Sequence, residues 1–429
     1  MVYRLDDIDC VSARSHAALG GTLAIQAVWR YERAVDVARL REFHAALCRG
    51  RLGRVVAPAM IAAAGDRWSA RARFAPLEVA AEPIRRDELE QWIAERGRAE
   101  LRTYGGPAWR LAAVGLDDGG SAVSLVVSHT LVDGRGLCAA ITAAIAAEYC
   151  EFDYPSDEFG PMRALWADLG AAAGKIGPIA QAVALGTRVA LARRAEARGG
   201  VGGDPEFRLP VVEVTVPAQL WHAAAQARNG TGTTLAAAVM ADLATEIGRV
   251  DEQGHVRMMM PVSTRTDGDE RANALGSIDF EFDGDTTDLA PLRAQMKLKL
   301  AAVAGQPVPP LIPIAVALPR GLYGALARQS ATDPTRTVCS HLGKLEPEIL
   351  DIDGTPASSI AFGLANQSLN ARAVVAARGG DLYGLFSEVA GQVTMRIKGF
   401  HPPALERADQ LTDLLGRVLA RYELTATVR

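Results

Sequence analysis

Leu125-Val-Val-Ser-His-Thr-Leu-Val-Asp-Gly-Arg-Gly136 carries the chain out of an apolar run, through a polar turn and towards a helix. Ala122 to Ser128 has the length and composition of a buried strand. Arg110 to Gly115 is a second such run, and Asp117-Asp-Gly-Gly120 between them is a tight-turn sequence, so the two read as a β-hairpin. Leu137 to Tyr149 is Ala-rich with helical spacing, and the spacing predicts a helix that begins just beyond Gly136. His129 therefore stands where the backbone leaves a sheet, with its main chain fixed and its side chain free to face a cleft. Near neutral pH an uncharged imidazole can take the proton of a hydroxyl or an amine as that group attacks. Asp133 can hold the local geometry through a salt bridge or backbone contacts. Gly134 permits a positive φ and a close approach of backbone to a ligand. The alternative reading is a satisfied turn histidine followed by an ordinary Asp-Gly turn.

Outward from this segment, strands and helices alternate. Ala24 to Arg30 reads as a strand, Val37 to Leu47 as a helix and Asp87 to Leu101 as a charged amphipathic helix. Beyond Pro210 the pattern resumes with a strand at Val211 to Val216, a helix start at Pro217 and a helix from Thr233 to Ile247. Val256 to Val262 and Ser277 to Phe282 read as strands, Leu382 to Val389 and Gln392 to Ile397 as a hairpin, and Ala404 to Tyr422 as a closing amphipathic helix. Hairpins mixed with helices favour mixed α/β layers. The 429 residues exceed one ordinary core. The expected division is a first half at 1–165, a crossover at 166–208 containing the flexible Arg198-Gly-Gly-Val-Gly-Gly203, and a second half at 209–429.

Several function classes are excluded. The net charge is −4, and no basic stripe with interleaved aromatics points to nucleic acid. The five cysteines are scattered with no Cys-x-x-Cys pair, which argues for reduced thiols, a cytoplasmic setting and no metal site. The N-terminus is charged where a signal peptide would be apolar. No apolar run reaches membrane-spanning length, since Ile176 to Leu191 is short and contains Arg188; peripheral membrane contact stays open. There is no Gly-x-Ser-x-Gly, Walker, His-Glu-x-x-His or Gly-x-Gly-x-x-Gly pattern. Direct transfer between two substrates, without a bound cofactor, fits better than a covalent enzyme intermediate.

His129-Thr-Leu-Val-Asp-Gly134 resembles the signature of the CoA-dependent acyltransferase superfamily. That group includes chloramphenicol acetyltransferase, condensation domains of peptide synthetases, polyketide-associated acyltransferases and wax ester synthase/diacylglycerol acyltransferases. The resemblance implies an α/β fold of two chloramphenicol-acetyltransferase-like mixed-sheet sandwich halves with a tunnel between them. It further implies His129 as general base, and a CoA or acyl-carrier thioester as donor substrate. The preferred acceptor is a hydroxyl on a lipid or secondary-metabolite alcohol. Amide formation from a carrier-bound donor and a non-catalytic binding module of the same fold are the alternatives. Many relatives carry a second histidine directly before the first; this chain has Ser128.

Met259-Met-Pro-Val-Ser-Thr-Arg265 with Arg271-Ala-Asn-Ala-Leu-Gly276 resembles the family's P-V-S-x-R … N-x-x-G stretch. It implies Arg265 as the ionic partner of Asp133, and Asn273 and Gly276 near the tunnel; a surface arginine and a strand-initiating asparagine are the plainer readings. Ser340-His-Leu-Gly343 resembles a family S-N-x-G segment with His341 in place of Asn. Ser340 is then a candidate donor to the oxyanion, worth roughly 3 kcal/mol in such a role, or simply a turn cap. Strand alternation turns His341 to the opposite face. Gly305 to Leu326 is apolar and Pro-rich, either a buried loop and helix or a tunnel or membrane segment. His16, His44, His222, His255 and His401 show no local partner in the sequence.

Overall fold

In the computed structural model the described residues are 3–19, 23–70, 73–148, 161–175, 177, 207–266, 268–283, 285–303, 311–319, 321, 323, 336–366, 372–377 and 379–428. The first half contains α1 (Asp7–Leu19), β1 (Leu23–Tyr31), α2 (Val37–Leu47), β2 (Val55–Ala57), β3 (Arg67–Ser69), β4 (Glu78–Val79), α3 (Leu89–Gly97), β5 (Trp109–Gly115), β6 (Ser121–Ser128), α4 (Gly134–Ile145) and α5 (Pro161–Gly174). The second contains β7 (Val211–Pro217), α6 (Ala218–Ala227), α7 (Gly232–Glu246), β8 (Val256–Ser263), β9 (Leu275–Phe282), α8 (Ala290–Val303), α9 (Leu311–Ala317), β10 (Thr337–Lys344), β11 (Ser359–Asn366), α10 (Arg372–Ala377), β12 (Asp381–Val389), β13 (Gln392–Phe400), α11 (Ala408–Arg421) and β14 (Thr427–Val428).

Two mixed sheets organise these elements. The five-stranded sheet has the order β11-β1-β6-β5-β4, and the seven-stranded sheet the order β14-β7-β13-β12-β10-β8-β9. β4 runs parallel to β5, and β10 runs parallel to both β8 and β12, while the remaining pairs are antiparallel. The expected hairpin forms from Trp109↔Val127 to Gly115↔Ser121. Every residue of β6 is buried, which explains why its sequence is mostly apolar rather than alternating: it is a central strand covered on both faces, and Ser124 within it accepts from Gln26 Nε2 at 2.9 Å.

The sequence boundary at 209 does not separate the two sheets. β11 comes from the second half yet pairs with β1 over its whole length, from Leu23↔Asn366 to Arg30↔Ser359. The core built around β1 and β6 likewise includes Leu342, Leu345, Ile349, Tyr383 and Leu385, whereas the other large core draws only on residues 212–424. The Trp29 indole donates to the Ile349 carbonyl at 2.8 Å. Polar groups join the halves too: buried Glu213 on β7 takes Arg30 of β1 at 2.5 Å and Arg396 of β13 at 3.0 Å. α5 runs across position 165, and residues 178–206 of the expected crossover lie outside the described residues, as does most of Gly305 to Leu326 apart from α9.

Several boundaries differ from the sequence expectation. α4 begins at Gly134 rather than beyond Gly136, because Asp133 caps it. The charged helix expected over 87–101 is a single 3₁₀ turn, Arg86–Glu88, followed by the shorter α3. α1, β4 and β11 had no expectation at all. Phe362 of β11 is 1% exposed, so Phe362→Ala is expected to cost about 3–5 kcal/mol in urea unfolding. A loss below about 1 kcal/mol would mean that β11 does not anchor the first sheet.

Candidate active site

The hairpin strand β6 ends at Ser128, and the turn that follows is fixed before any side chain is considered. The His129 amide donates to the Leu23 carbonyl at 2.8 Å, and the Leu131 amide to the Ser128 carbonyl at 2.9 Å. The Ser128 and Thr130 hydroxyls pair at 2.7 Å. Arg54, stacked over the Trp68 ring, donates to the Leu131 carbonyl at 3.1 Å.

Asp133 is fully buried and binds the turn to the second half. Its Oδ1 accepts from the Gly136 amide at 2.6 Å, which makes it the N-cap of α4. Its Oδ2 accepts from the Ala274 amide at 2.9 Å and from Arg265 Nη2 at 2.6 Å, while its own amide donates to the Ala272 carbonyl at 2.9 Å. Arg265 in turn donates to the carbonyls of Asp269, Arg271 and Ala272 at 3.0–3.1 Å. The pair thus fastens the stretch between β8 and β9 to the start of α4. Gly134 is needed for a reason other than the one its sequence position suggested. It lies in the first turn of α4 without a positive φ, and a Cβ there would stand 2.7 Å from Cδ2 of Leu342 on β10. The close approach seen is to Leu342 of the second half.

Asn273 sets the chemistry of the imidazole. Its Nδ2 donates to the His129 carbonyl at 3.0 Å and to Asp9 Oδ1 at 2.9 Å, so both amide hydrogens are spent on groups that only accept. The Oδ1 then faces His129 Nδ1 at 2.7 Å and must receive a hydrogen from it. The network therefore assigns the Nδ1–H tautomer and leaves Nε2 with its lone pair. The ring is half-buried rather than sealed. Burial holds its pKa below the ordinary 6.5, opposed by bonds to its own carbonyl and to Asn273 and by the charge of Asp133. At neutral pH the group is an uncharged base.

His16 was invisible as a site neighbour in the sequence. It lies on α1, half-buried, with an Nδ1 that has no partner. Burial, and after it the charge of His129, pushes its pKa down to about 4. Three other histidines also have partners that lie far off in sequence: His44 with the Ala75 carbonyl, His222 with Glu388 and His401 with the Gly379 carbonyl. No local pattern could have shown these.

Ser340 is not brought into contact with His129 among the described residues. It sits on β10 two residues from Leu342, on the face that meets the first half. His341 faces the other way, stacked on Phe386. Gly276 is also a contact residue of the fold, since a Cβ there would meet Val303 at 2.5 Å. A 390 Å³ cavity between the halves is lined by Gln26, Arg98, Gly363, Tyr383, Arg396 and Lys398 among others, and not by His129. Among the described residues one group could hold a metal ion: Asp251, His255 and Glu281, partly exposed, with ligand atoms within 4.8 Å of one another. None of them touches the His129 network. No described helix is long and apolar enough to cross a membrane. Of the cysteines, Cys10, Cys138 and Cys339 are buried and free, Cys48 is free and half-buried, and Cys150 lies outside the described residues.

No family model matches the chain, and no curated protein does. Solved structures do. The first condensation domain of the CDA synthetase aligns at a TM-score of 0.58 and 13% identity, covering 98% of this chain and 95% of that one. Polyketide synthase associated protein 5 from Mycobacterium tuberculosis aligns at 0.54 and 14%, covering 98% of each chain. The starter condensation domain of rhizomide synthetase, solved with C8-CoA, aligns at 0.54 and 14%, covering 99% and 94%. Against the longer nonribosomal peptide synthetase FmoA3 the chain spans 42% of the partner's length. The fold is the two-halved, mixed-sheet architecture of these condensation domains.

Removing the Asp133 carboxylate leaves the Arg265 guanidinium, only 14% exposed, without its counter-charge. Asp133→Ala is expected to lower unfolding stability by roughly 3–5 kcal/mol. A denaturant titration showing a loss under about 1 kcal/mol would contradict the anchoring role.

Proposed function

We propose that the chain is an acyltransferase that moves an acyl group from a CoA or carrier-protein thioester to a hydroxyl acceptor, with His129 as general base. The observation that carries this reading is the bond between His129 Nδ1 and Asn273 Oδ1, with the Asn273 Nδ2 spent on Asp9 and the His129 carbonyl; it supports Nε2 as the proton acceptor. Both substrates meet at His129, and proximity in the ternary complex supplies much of the rate. Nε2 accepts the acceptor's proton as its oxygen attacks the thioester carbonyl. The resulting imidazolium returns that proton to the departing thiolate as the tetrahedral intermediate collapses. Ser340 is the proposed oxyanion donor, its hydroxyl turning to the developing charge. A lipid or secondary-metabolite alcohol is the proposed acceptor, in a cytoplasmic or peripherally membrane-associated setting, with no metal or bound cofactor taking part.

Amide formation is the second reading, favoured by the condensation domains among the structural neighbours. The base and scaffold would be the same, and only the acceptor would differ. Assaying thiol release from acyl-CoA and from acyl-carrier protein, with alcohols and amines in parallel, separates the two. His129→Ala is expected to abolish release in every combination while the protein still folds; unchanged turnover would remove the proposal. Because burial lowers the imidazole's pKa, the base is neutral, and active, down to a pH below 6.5. The acid limb of kcat/KM should therefore have its midpoint under 6.5, and a midpoint above it would contradict the assignment. Ser340→Ala should cut kcat by about 100-fold if the serine serves the oxyanion, and an unaltered kcat would exclude it.

A further inference from the structure

We infer that Asp9, on α1, is the positioning residue that selects the reactive tautomer of His129, acting through Asn273. This rests on the reading of His129 as a base. Asp9 lies 264 residues from Asn273 in sequence, is fully buried, and never touches the imidazole.

Its carboxylate is saturated by one short stretch of the second half. Oδ2 accepts from the Ala272 amide at 2.8 Å, and Oδ1 from the Asn273 amide at 3.0 Å and from Asn273 Nδ2 at 2.9 Å. An ionised carboxylate only accepts, so it dictates which end of the Asn273 amide faces it. Were the amide turned over, its oxygen would point at the Asp9 carboxylate and at the His129 carbonyl, two repulsive contacts in a buried site. With Asp9 in place the amide has one orientation, and His129 Nδ1 must donate to it. Without Asp9, the His129 carbonyl alone biases the amide and, through the ring's bond to it, the imidazole, and the Nε2–H tautomer becomes more populated; a ring protonated at Nε2 cannot act as the base there.

The surroundings of Asp9 are consistent with a carboxylate held in place rather than an idle one. Asp6, directly before α1, accepts from the Asp9 amide at 2.7 Å. Burial, and after it the charge of Asp6, pushes the Asp9 pKa up to about 6, while the Asn273 and Ala272 bonds and the charge of Arg54 oppose the rise. Arg271, and Asp7 with its partner Lys175, also face this end of α1. At neutral pH the acceptor-only form prevails.

The test reads the ring directly. Histidine labelled with ring ¹⁵N, assigned by loss of the signal in His129→Gln, reports which nitrogen carries the hydrogen without any substrate. The wild type should show Nδ1–H and a bare Nε2. Asp9→Asn should shift His129 towards Nε2–H and lower kcat about 10- to 100-fold, the range over which outer hydrogen-bond partners of metal-bound imidazoles act, with KM within about 2-fold. Asp9→Ala, which leaves room for water at the two main-chain amides, is read the same way where Asp9→Asn does not fold. Asn273→Leu should give the same tautomer shift, and adding Asp9→Asn to it should produce no further fall in kcat. A wild-type tautomer and kcat in a folded Asp9 variant would overturn the inference while an inactive His129→Ala left the acyl-transfer reading standing. An active His129→Ala would instead remove that reading, and the tautomer signal would still decide the role of Asp9.

Discussion

The carboxylate of Asp133 is the tie on which the rest of the site depends. It is buried, and it is surrounded by the Gly136 amide, the Ala274 amide and the Arg265 guanidinium, two of which belong to the second half of the chain. A buried charge is tolerated only when fully paired, and one that has lost its partner costs several kcal/mol. The same carboxylate therefore starts α4, closes the His129 turn and holds residues 272–274 against it. Asn273 can reach the imidazole because that stretch is fastened there. Gly134 adds a steric condition, since a Cβ at that position would stand 2.7 Å from the Leu342 side chain and require it to shift.

The imidazole is consequently assembled by both halves. β6 brings it to the end of a central strand, the stretch between β8 and β9 sets its protonation, and α1 sets the orientation of the amide that does so. The covalent order of the chain hides this arrangement. β11 crosses to pair with β1, and Glu213 bridges Arg30 and Arg396. The halves thus share a sheet, a core and an ion network, so the geometry around His129 is expected to be rigid on the scale that proton transfer requires.

What was legible in the sequence was local. The hairpin ending in Ser128 could be read because its apolar runs and Asp-Gly turn lie within 20 residues of one another, and the strands and helices of the second half followed from periodicity. Asp133 and Arg265 could be paired only through a family resemblance, because 132 residues separate them. The start of α4 lies three residues before the expected Leu137, because Asp133 acts as the helix cap. Gly134 was explained by φ when its reason was packing. α1 was not foreseen, and its Asp9 looked like one acid among several in Asp6-Asp-Ile-Asp9; nothing local marks it as the one that faces Asn273. β11 escaped notice for a related reason. Ser359-Ile-Ala-Phe-Gly-Leu-Ala-Asn366 has a central glycine that weakens a strand signal, yet that glycine is where Arg396 packs against the backbone, 2.7 Å from the position a Cβ would take.

Neutron diffraction from a deuterium-exchanged crystal at neutral pH addresses the central claim most directly, because it locates the hydrogens of His129 and Asn273 in one map. The account predicts deuterium on Nδ1 of His129, none on Nε2, and both deuterons of the Asn273 amide directed at Asp9 and at the His129 carbonyl. Deuterium on Nε2, or an Asn273 amide turned the other way, would contradict it.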